Sequence, residues 1–600
     1  MDQTRTQAQA PTQAHTRIEH DAFGPVHIPA DRLWGAQTQR ALELFTIGEE
    51  RFPHGLYRAF GLQKLAAARA NRRLGVLDDE RGAAIEAAAT ELRDGLLDAH
   101  FPLTIWQTGS GTQTNMNANE VIANRANQML GQPPGTRSPV HPNDHANASQ
   151  SSNDSFPTVM HLATALELRD HLLPALEQLQ QRLQERALAF AGVLKVARTH
   201  LMDAVPMTLG QSFETFAHQV GHGIHRLQAT QPRLWSLAQG GTAAGTGLNA
   251  PAGFDRVFCE EIQALTGLAV TPNPCKFEGM AAHDALIEVS GALNVVAGSL
   301  AKMANDIRLL GSGPRCGLGE LVFPDDGLSS SIMPGKRNPT VAEVVVQAAY
   351  QAMGHHLTVT LAGSAGHFEL NVAKPVLIHH LLRAMRALGD ASRVFAEKLV
   401  AGLQAHTERL EQQVSHSLLQ ATALNPVLGY DAVARITREA MALRHCAARG
   451  GRGAGADHGG RVRPAGGPAG HGRAAARVAA SILQAYVLHD LLLVLERLLG
   501  ERRVLLAAAE LRAHAVVADD LAEGRVVHGG LDGGFELAHD LGRQAARPGD
   551  AQGRGHIEGI TGLAERGHVG KGLGPHLGGR GQGAQLARAQ VRQHRVGVYA

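Results

Sequence analysis

Residues 283–311 read HDALIEVSGALNVVAGSLAKMANDIRLLG. Within them Leu286, Val289, Leu293, Val296, Leu300, Met303, Ile307 and Leu310 recur at three- and four-residue spacing, which predicts one long helix. The same periodicity predicts helices over about 155–190, 207–238, 340–362 and 375–403, and Ala-rich helices over about 56–74 and 78–99. Strand signals are sparse. Apolar stripes wider than one face, on helices this long, predict a bundle that other subunits can extend. The expected class is therefore mainly α.

Bulk properties fit that class. The chain has 600 residues, 44% hydrophobic and 19% charged, with a net charge of +2. A balance so near neutrality offers no field for nucleic acid. Cys259, Cys275, Cys316 and Cys446 lack metal-site or cluster spacing, and so few thiols suit a reducing cytoplasm. The start, Met1-Asp2-Gln3-Thr4-Arg5, is polar, and no apolar run is expected to reach membrane-spanning length. Residues 1 to about 17 are expected to be disordered, and 21–40 to be extended chain and turn before a helix.

Between the helices lie polar clusters. Trp106-Gln107-Thr108-Gly109-Ser110-Gly111-Thr112-Gln113 leads through Asn115, Asn117 and Asn119 into a helical pattern, so its donors gather at a helix N-terminus, where anions bind. His141-Pro142-Asn143-Asp144 and Ser149-Gln150-Ser151-Ser152-Asn153-Asp154 precede the next long helix, and the second run is longer than capping requires. Thr199-His200-Leu201 is expected between two helical stretches, at a helix end. Finally, Ser329-Ser330-Ser331-Ile332-Met333-Pro334-Gly335-Lys336-Arg337-Asn338-Pro339 combines hydroxyls, a Pro-Gly break and a lysine. That chemistry suits a mobile loop closing on an anion, with Pro339 at the start of a helix.

Taken together, and with Gly313-Pro314-Arg315-Cys316-Gly317, these motifs resemble the class II, iron-independent fumarate hydratases of the fumarase/aspartase superfamily, over about residues 18–443. His200 and Cys316 match fumarases, where aspartate ammonia-lyases typically carry Gln and Ala. The resemblance implies a three-domain fold: an N-terminal lyase domain over 1–149, a central bundle domain over 150–406 shared between subunits, and the start of a small C-terminal helical domain over 407–444. It implies a cytoplasmic homotetramer of the tricarboxylic acid cycle that hydrates fumarate to (S)-malate without metal or other cofactor.

By the same resemblance Ser330 is the base, His200 handles the hydroxyl or water, and Glu343 pairs with His200. Ser110, Gly111, Thr112, Ser151, Ser152, Asn153, Thr199, Ser331, Lys336, Arg337 and Asn338 fall in the dicarboxylate-binding motifs. His141, Pro142, Asn143 and Asp144 match the family's secondary dicarboxylate site. Removal of a non-acidic proton needs a serine of lowered pKa, which backbone N–H groups near Gly335, with Lys336, would supply.

The chain departs from the family pattern at Ser329, usually Gly; at Arg337, usually Val; and at Ala148, often Lys. After Arg444 the likeness stops. Residues 445–600 are rich in Gly, Arg, Ala and His, with Lys571 the only lysine after 450, as expected of an accessory segment or a shifted reading frame. Aspartate ammonia-lyase, or an inactive scaffold built on the same bundle, are the alternatives to a fumarase.

Overall fold

A computed structural model describes residues 16–450, and the 451–600 part of the C-terminal tail lies outside the described residues. The chain opens with a hairpin, β1 (Thr16–Asp21) against β2 (Gly24–Pro29). Thr16 and Arg17, expected to be disordered, are therefore strand residues. The Arg17 guanidinium fixes them by donating to Glu19 at 2.7 Å and to the Pro29 carbonyl at 3.0 Å. Helices α1 (Ala36–Leu44), α2 (His54–Arg73), α3 (Asp79–Arg93) and α4 (Thr112–Met129) complete the N-terminal part. α3 ends at Arg93, before the expected 99, and Gly95 just beyond it has φ +81°.

The bundle follows. α5 (Ser152–Glu167) and α6 (Leu173–Ala189) form one rod, joined by a π turn at Leu168–Leu172. Pro174 lies just past that turn and has no N–H for the i−4 bond, a reason for the ladder to widen there. β3 (Leu194–Thr199) and β4 (Met202–Thr208) make a hairpin, and α7 (Leu209–Leu234) starts from a Thr208–Gln211 capping box. Next come α8 (Phe254–Thr266), α9 (Lys276–Ala281), α10 (Asp284–Leu310), α11 (Thr340–Gly363) and α12 (Lys374–Val394). α13 (Thr407–His416), α14 (Asn425–Leu428) and α15 (Tyr430–Gly450) end the described chain. Five sheets of two strands each join short segments among the described residues, which the sparse strand signals did not place.

α6, α7, α10, α11 and α12 pack side by side, each antiparallel to the next. Contacts fix the directions. Arg233 near the end of α7 donates to Glu288 at the start of α10 at 2.6 Å. Ser290 of α10 meets His356 in the second half of α11 at 2.9 Å. His355 near the end of α11 meets His380 in the first turns of α12 at 2.5 Å. The rods are thus about 40 Å long, from 27 residues in α10 at 1.5 Å each.

One core runs from Val26 to Leu410, while Ala421, Leu424 and Val433 form a separate small cluster. α10 is long and apolar enough to cross a membrane by length and composition, which corrects the expectation that no run reaches that size. Here it is a bundle helix, buried along one face against α7 and α11 and carrying a Lys302–Asp306 ion pair on the other.

Candidate active site

The first cluster sits where α4 and α5 begin side by side. Gly111 caps α4 in the left-handed region, φ +78°, and a Cβ there would lie 2.2 Å from the Phe156 ring. Only glycine brings the two helix starts this close. As a result Ser110 Oγ and Thr112 Oγ1 are 2.6 Å apart, and Thr112 Oγ1 and Ser152 Oγ 2.9 Å, one hydroxyl chain from two motifs. The helix begins at Thr112, earlier than the pattern suggested, so Asn115, Asn117 and Asn119 are buried helix residues.

Ser151 caps α5, accepting from the Asn153 N–H at 3.2 Å, and Asn153 Nδ2 donates to the Ala243 carbonyl at 2.8 Å. Asp154 closes the capping box by accepting from the Ser151 N–H at 2.9 Å. Its other oxygen accepts from the Gly240 N–H at 2.9 Å, the Thr242 N–H at 3.0 Å and Gln239 Nε2 at 3.1 Å. One buried carboxylate thus ties the start of α5 to the Gly-rich turn after α7. Burial pushes its pKa up to about 6, although each of those N–H donors favours the ionised form.

Two buried lysines face it. Lys64 of α2 donates to Gln150 Oε1 at 2.9 Å and Asn147 Oδ1 at 3.2 Å. Lys374 opens α12 and has no hydrogen-bond partner at Nζ among the described residues. Burial drives both down to about 7, against the pull of Asp154.

The His141–Asp144 cluster forms the start of a π turn, Pro142–Ala146, whose His141 Nδ1 faces the Asn143 and Asp144 N–H groups at 3.3 and 3.2 Å. Asn143 and Asp144 are exposed and Pro142 is buried. The turn leads into Asn147, whose side-chain Oδ1 accepts from Asn115 at 3.2 Å and Asn119 at 3.1 Å, which ties the turn to α4.

The remaining residues lie elsewhere. Thr199, His200 and Leu201 are in the β3–β4 hairpin turn, not at a helix end. Thr199 pairs with Met202, leaving a two-residue turn in which His200 and Leu201 both have positive φ, +55° and +62°. Such turns favour Asn-Gly; a His-Leu pair stores strain there, and all three residues are exposed. Arg198 of the same hairpin pairs with Glu320, which places the 311–339 loop at the same end of the bundle.

In that loop Ser330 Oγ accepts from the Met333 N–H at 3.2 Å and lies 3.5 Å from the Ile332 N–H. The backbone donors at Ser330 thus come from Ile332 and Met333, not from near Gly335. Lys336 Nζ donates to Asn338 Oδ1 at 2.7 Å, and Arg337 to Asp325 at 2.7 Å. Ser331, Lys336 and Arg337 are exposed. Glu343 sits in the first turn of α11, and among the described residues no hydrogen bond or ion pair joins it to His200.

The candidate residues therefore fall into two groups at opposite ends of rods about 40 Å long. Ser110, Gly111, Thr112, Ser151, Ser152 and Asn153 stand where α5, α10 and α12 begin and α7 and α11 end. Thr199, His200, Ser330, Ser331, Lys336, Arg337, Asn338 and Glu343 stand where α10 ends and α11 begins. Sequence reasoning missed Lys64, Gln239, His283 and Lys374 near the first group. Lys374 had a signal, a lysine just before Pro375 at a helix entry, but its burial is a tertiary fact.

A family model described as Lyase matches residues 24–354. The chain is 53% identical over 427 residues to "Fumarate hydratase, mitochondrial" of Schizosaccharomyces pombe, covering 71% of this chain and 82% of that protein. It is 53% identical over 425 residues to "Fumarate hydratase class II" of Caulobacter vibrioides, covering 71% and 92%. Its fold is similar to the crystal structure of recombinant class II fumarase from Schistosoma mansoni, with a TM-score of 0.70 and 39% identity over 72% of this chain and 95% of that one.

Proposed function

Because the chain belongs to the lyase family and, within it, to the class II fumarate hydratases, we propose that its two groups of site residues act together across subunits of a homotetramer. The reaction itself is the hydro-lyase step of the tricarboxylic acid cycle that interconverts fumarate and malate.

In the malate-to-fumarate direction a proton leaves the carbon next to one carboxylate, and hydroxide leaves the adjacent carbon. The electrons of the C–H bond pass through an aci-carboxylate into the new double bond. Ser330 takes the proton, its alkoxide favoured by the Met333 and Ile332 N–H groups. His200 protonates the departing hydroxyl, so that water is released, and Glu343 of another subunit orients the ring. The hydroxyl chain of Ser110, Thr112 and Ser152 donates to the substrate carboxylates, with Asn153, Thr199, Lys336 and Asn338 around it.

The observation that carries the assembly is that the two groups stand at opposite ends of rods about 40 Å long. No single chain of this fold closes such a gap by a loop movement, whereas antiparallel copies of the bundle bring unlike ends together. Exposed Val344, Gln347, Tyr350, Gly354, Leu357 and Leu361, three or four residues apart on α11, support a helix-on-helix contact there. The separate cluster of Ala421, Leu424 and Val433 supports a small C-terminal helical domain. A reducing compartment such as the cytoplasm suits the free Cys259, Cys275 and Cys316.

Mixing two inactive proteins tests the assembly. His200→Asn and Thr112→Val each lower malate dehydration, followed as fumarate absorbance, by about 10²-fold or more. Refolded together, they regain a substantial fraction of wild-type activity, because some sites then draw both intact groups from different chains. A mixture no more active than its parts sinks the shared site.

A further inference from the structure

Lys374 is fully buried, and its Nζ meets no acceptor among the described residues. A lysine kept only for packing would be expected to find an ion pair or a carbonyl, since an unpartnered ammonium is costly to bury. The nearest carboxylate does not meet that need: Asp154 is taken by Ser151, Gly240, Thr242 and Gln239. The other group facing Lys374 is His283, the residue capping α10, itself 1% exposed with both ring nitrogens unpartnered. His161 of α5 lies beyond it, and Lys64 faces Asp154 from α2. Burial keeps His283 neutral by pushing its pKa well down. One carboxylate is thus set among two ammonium groups, leaving excess positive charge around Asp154, two residues past Ser152 in α5.

The backbone ties this lysine to that layer. The Lys374 N–H donates to the Gly109 carbonyl at 3.0 Å, one residue before Ser110. Gly109 has no room for a side chain, as a Cβ would lie 1.3 Å from the Val372 carbonyl oxygen. The strand entering α12 and the loop carrying Ser110 and Thr112 are therefore held as one piece.

We propose that Lys374 is a positioning residue for the substrate's second negative charge: it acts through space on the Ser110–Thr112–Ser152 chain and makes that end of the site select a dianion. This rests on the reading of those three hydroxyls as carboxylate donors. Lys374 does not touch substrate; it sets the potential in which neutral donors bind it. Burial holds the amine near the point where it loses its proton, at about 7, so its effect fades as pH rises above that value.

The test uses the whole protein, with malate as substrate and succinate as a dianionic competitor, from pH 6 to 9. Lys374→Met is expected to raise malate KM and succinate Ki about tenfold, with kcat changed less than threefold. Lys374→Arg, charged throughout, is expected to match wild type at pH 6 and to lose the weakening of succinate binding that wild type shows from pH 7 to 9. A Lys374→Met protein within twofold of wild type overturns the inference. So does a Lys374→Arg protein that follows the wild-type pH course, or a flat wild-type course, and these decide if the Met variant does not fold. Thr112→Val separates the two readings. Raised KM there with normal Lys374 variants rejects the lysine's role alone, whereas an unaffected Thr112→Val rejects the hydroxyl site beneath it.

Discussion

Lys64 shows how a single residue links fold to pH. It is 1% exposed, donates to two amide oxygens, and faces the buried Asp154. Its pKa falls from 10.5 to about 7 because burial disfavours the ammonium. Below pH 7 both folded and unfolded chains hold the proton, and the full cost of burying the charge is present. Above it the folded chain sheds the proton while the unfolded chain keeps it to about pH 10.5. Stability therefore climbs with pH in that window, by about 1.4 kcal/mol per unit for this group. Lys64→Met is expected to remove that slope, read from urea midpoints at pH 7, 8 and 9. Equal slopes in both proteins would place the amine in water. Lys64 does not stand out in the sequence, because a lysine on a helix reads as a solvated face until its neighbours are known.

At the scale of elements, the site depends on how closely two helix N-termini approach. The left-handed Gly111 and the Phe156 ring set that distance, and with it the 2.9 Å contact between Thr112 and Ser152. Gly111→Ala must both strain the cap and move a packed ring, a cost of roughly 2–4 kcal/mol. The expected result is a lower unfolding midpoint together with a raised malate KM; a lower midpoint with normal KM would separate the cap from the site. Glycines and hydroxyls at 109–112 and 149–154 were readable as anion-site chemistry, since few core residues interrupt them. The β3–β4 hairpin was not, because His200-Leu201 lacks the Asn-Gly signal and the pairing of the two flanking strands holds the turn in a strained form.

For the whole molecule, the proposed association is tested on the exposed line of α11. Leu357 is 63% exposed within one chain and is the fifth of the six residues on that line. A charge there would be buried against a partner helix, so Leu357→Glu is expected to shift sedimentation to smaller species and to lose malate turnover in parallel. An intact tetramer with full activity would move the interface elsewhere. Arg337 bears on the same scale. Its pairing with Asp325 holds the loop against its own start, so this departure from the family pattern has a local partner.

By itself the sequence determined the mainly helical class, the long rods of the bundle, and the motifs of a fumarate hydratase, because periodicity and local chemistry are written along the chain. It supplied the candidate site residues, as types in an order. Only the tertiary structure decided where they stand: two groups at opposite ends of the bundle, a hairpin under His200, and buried lysines facing Asp154. Those features arise from antiparallel packing and desolvation, which depend on residues distant in sequence meeting in space.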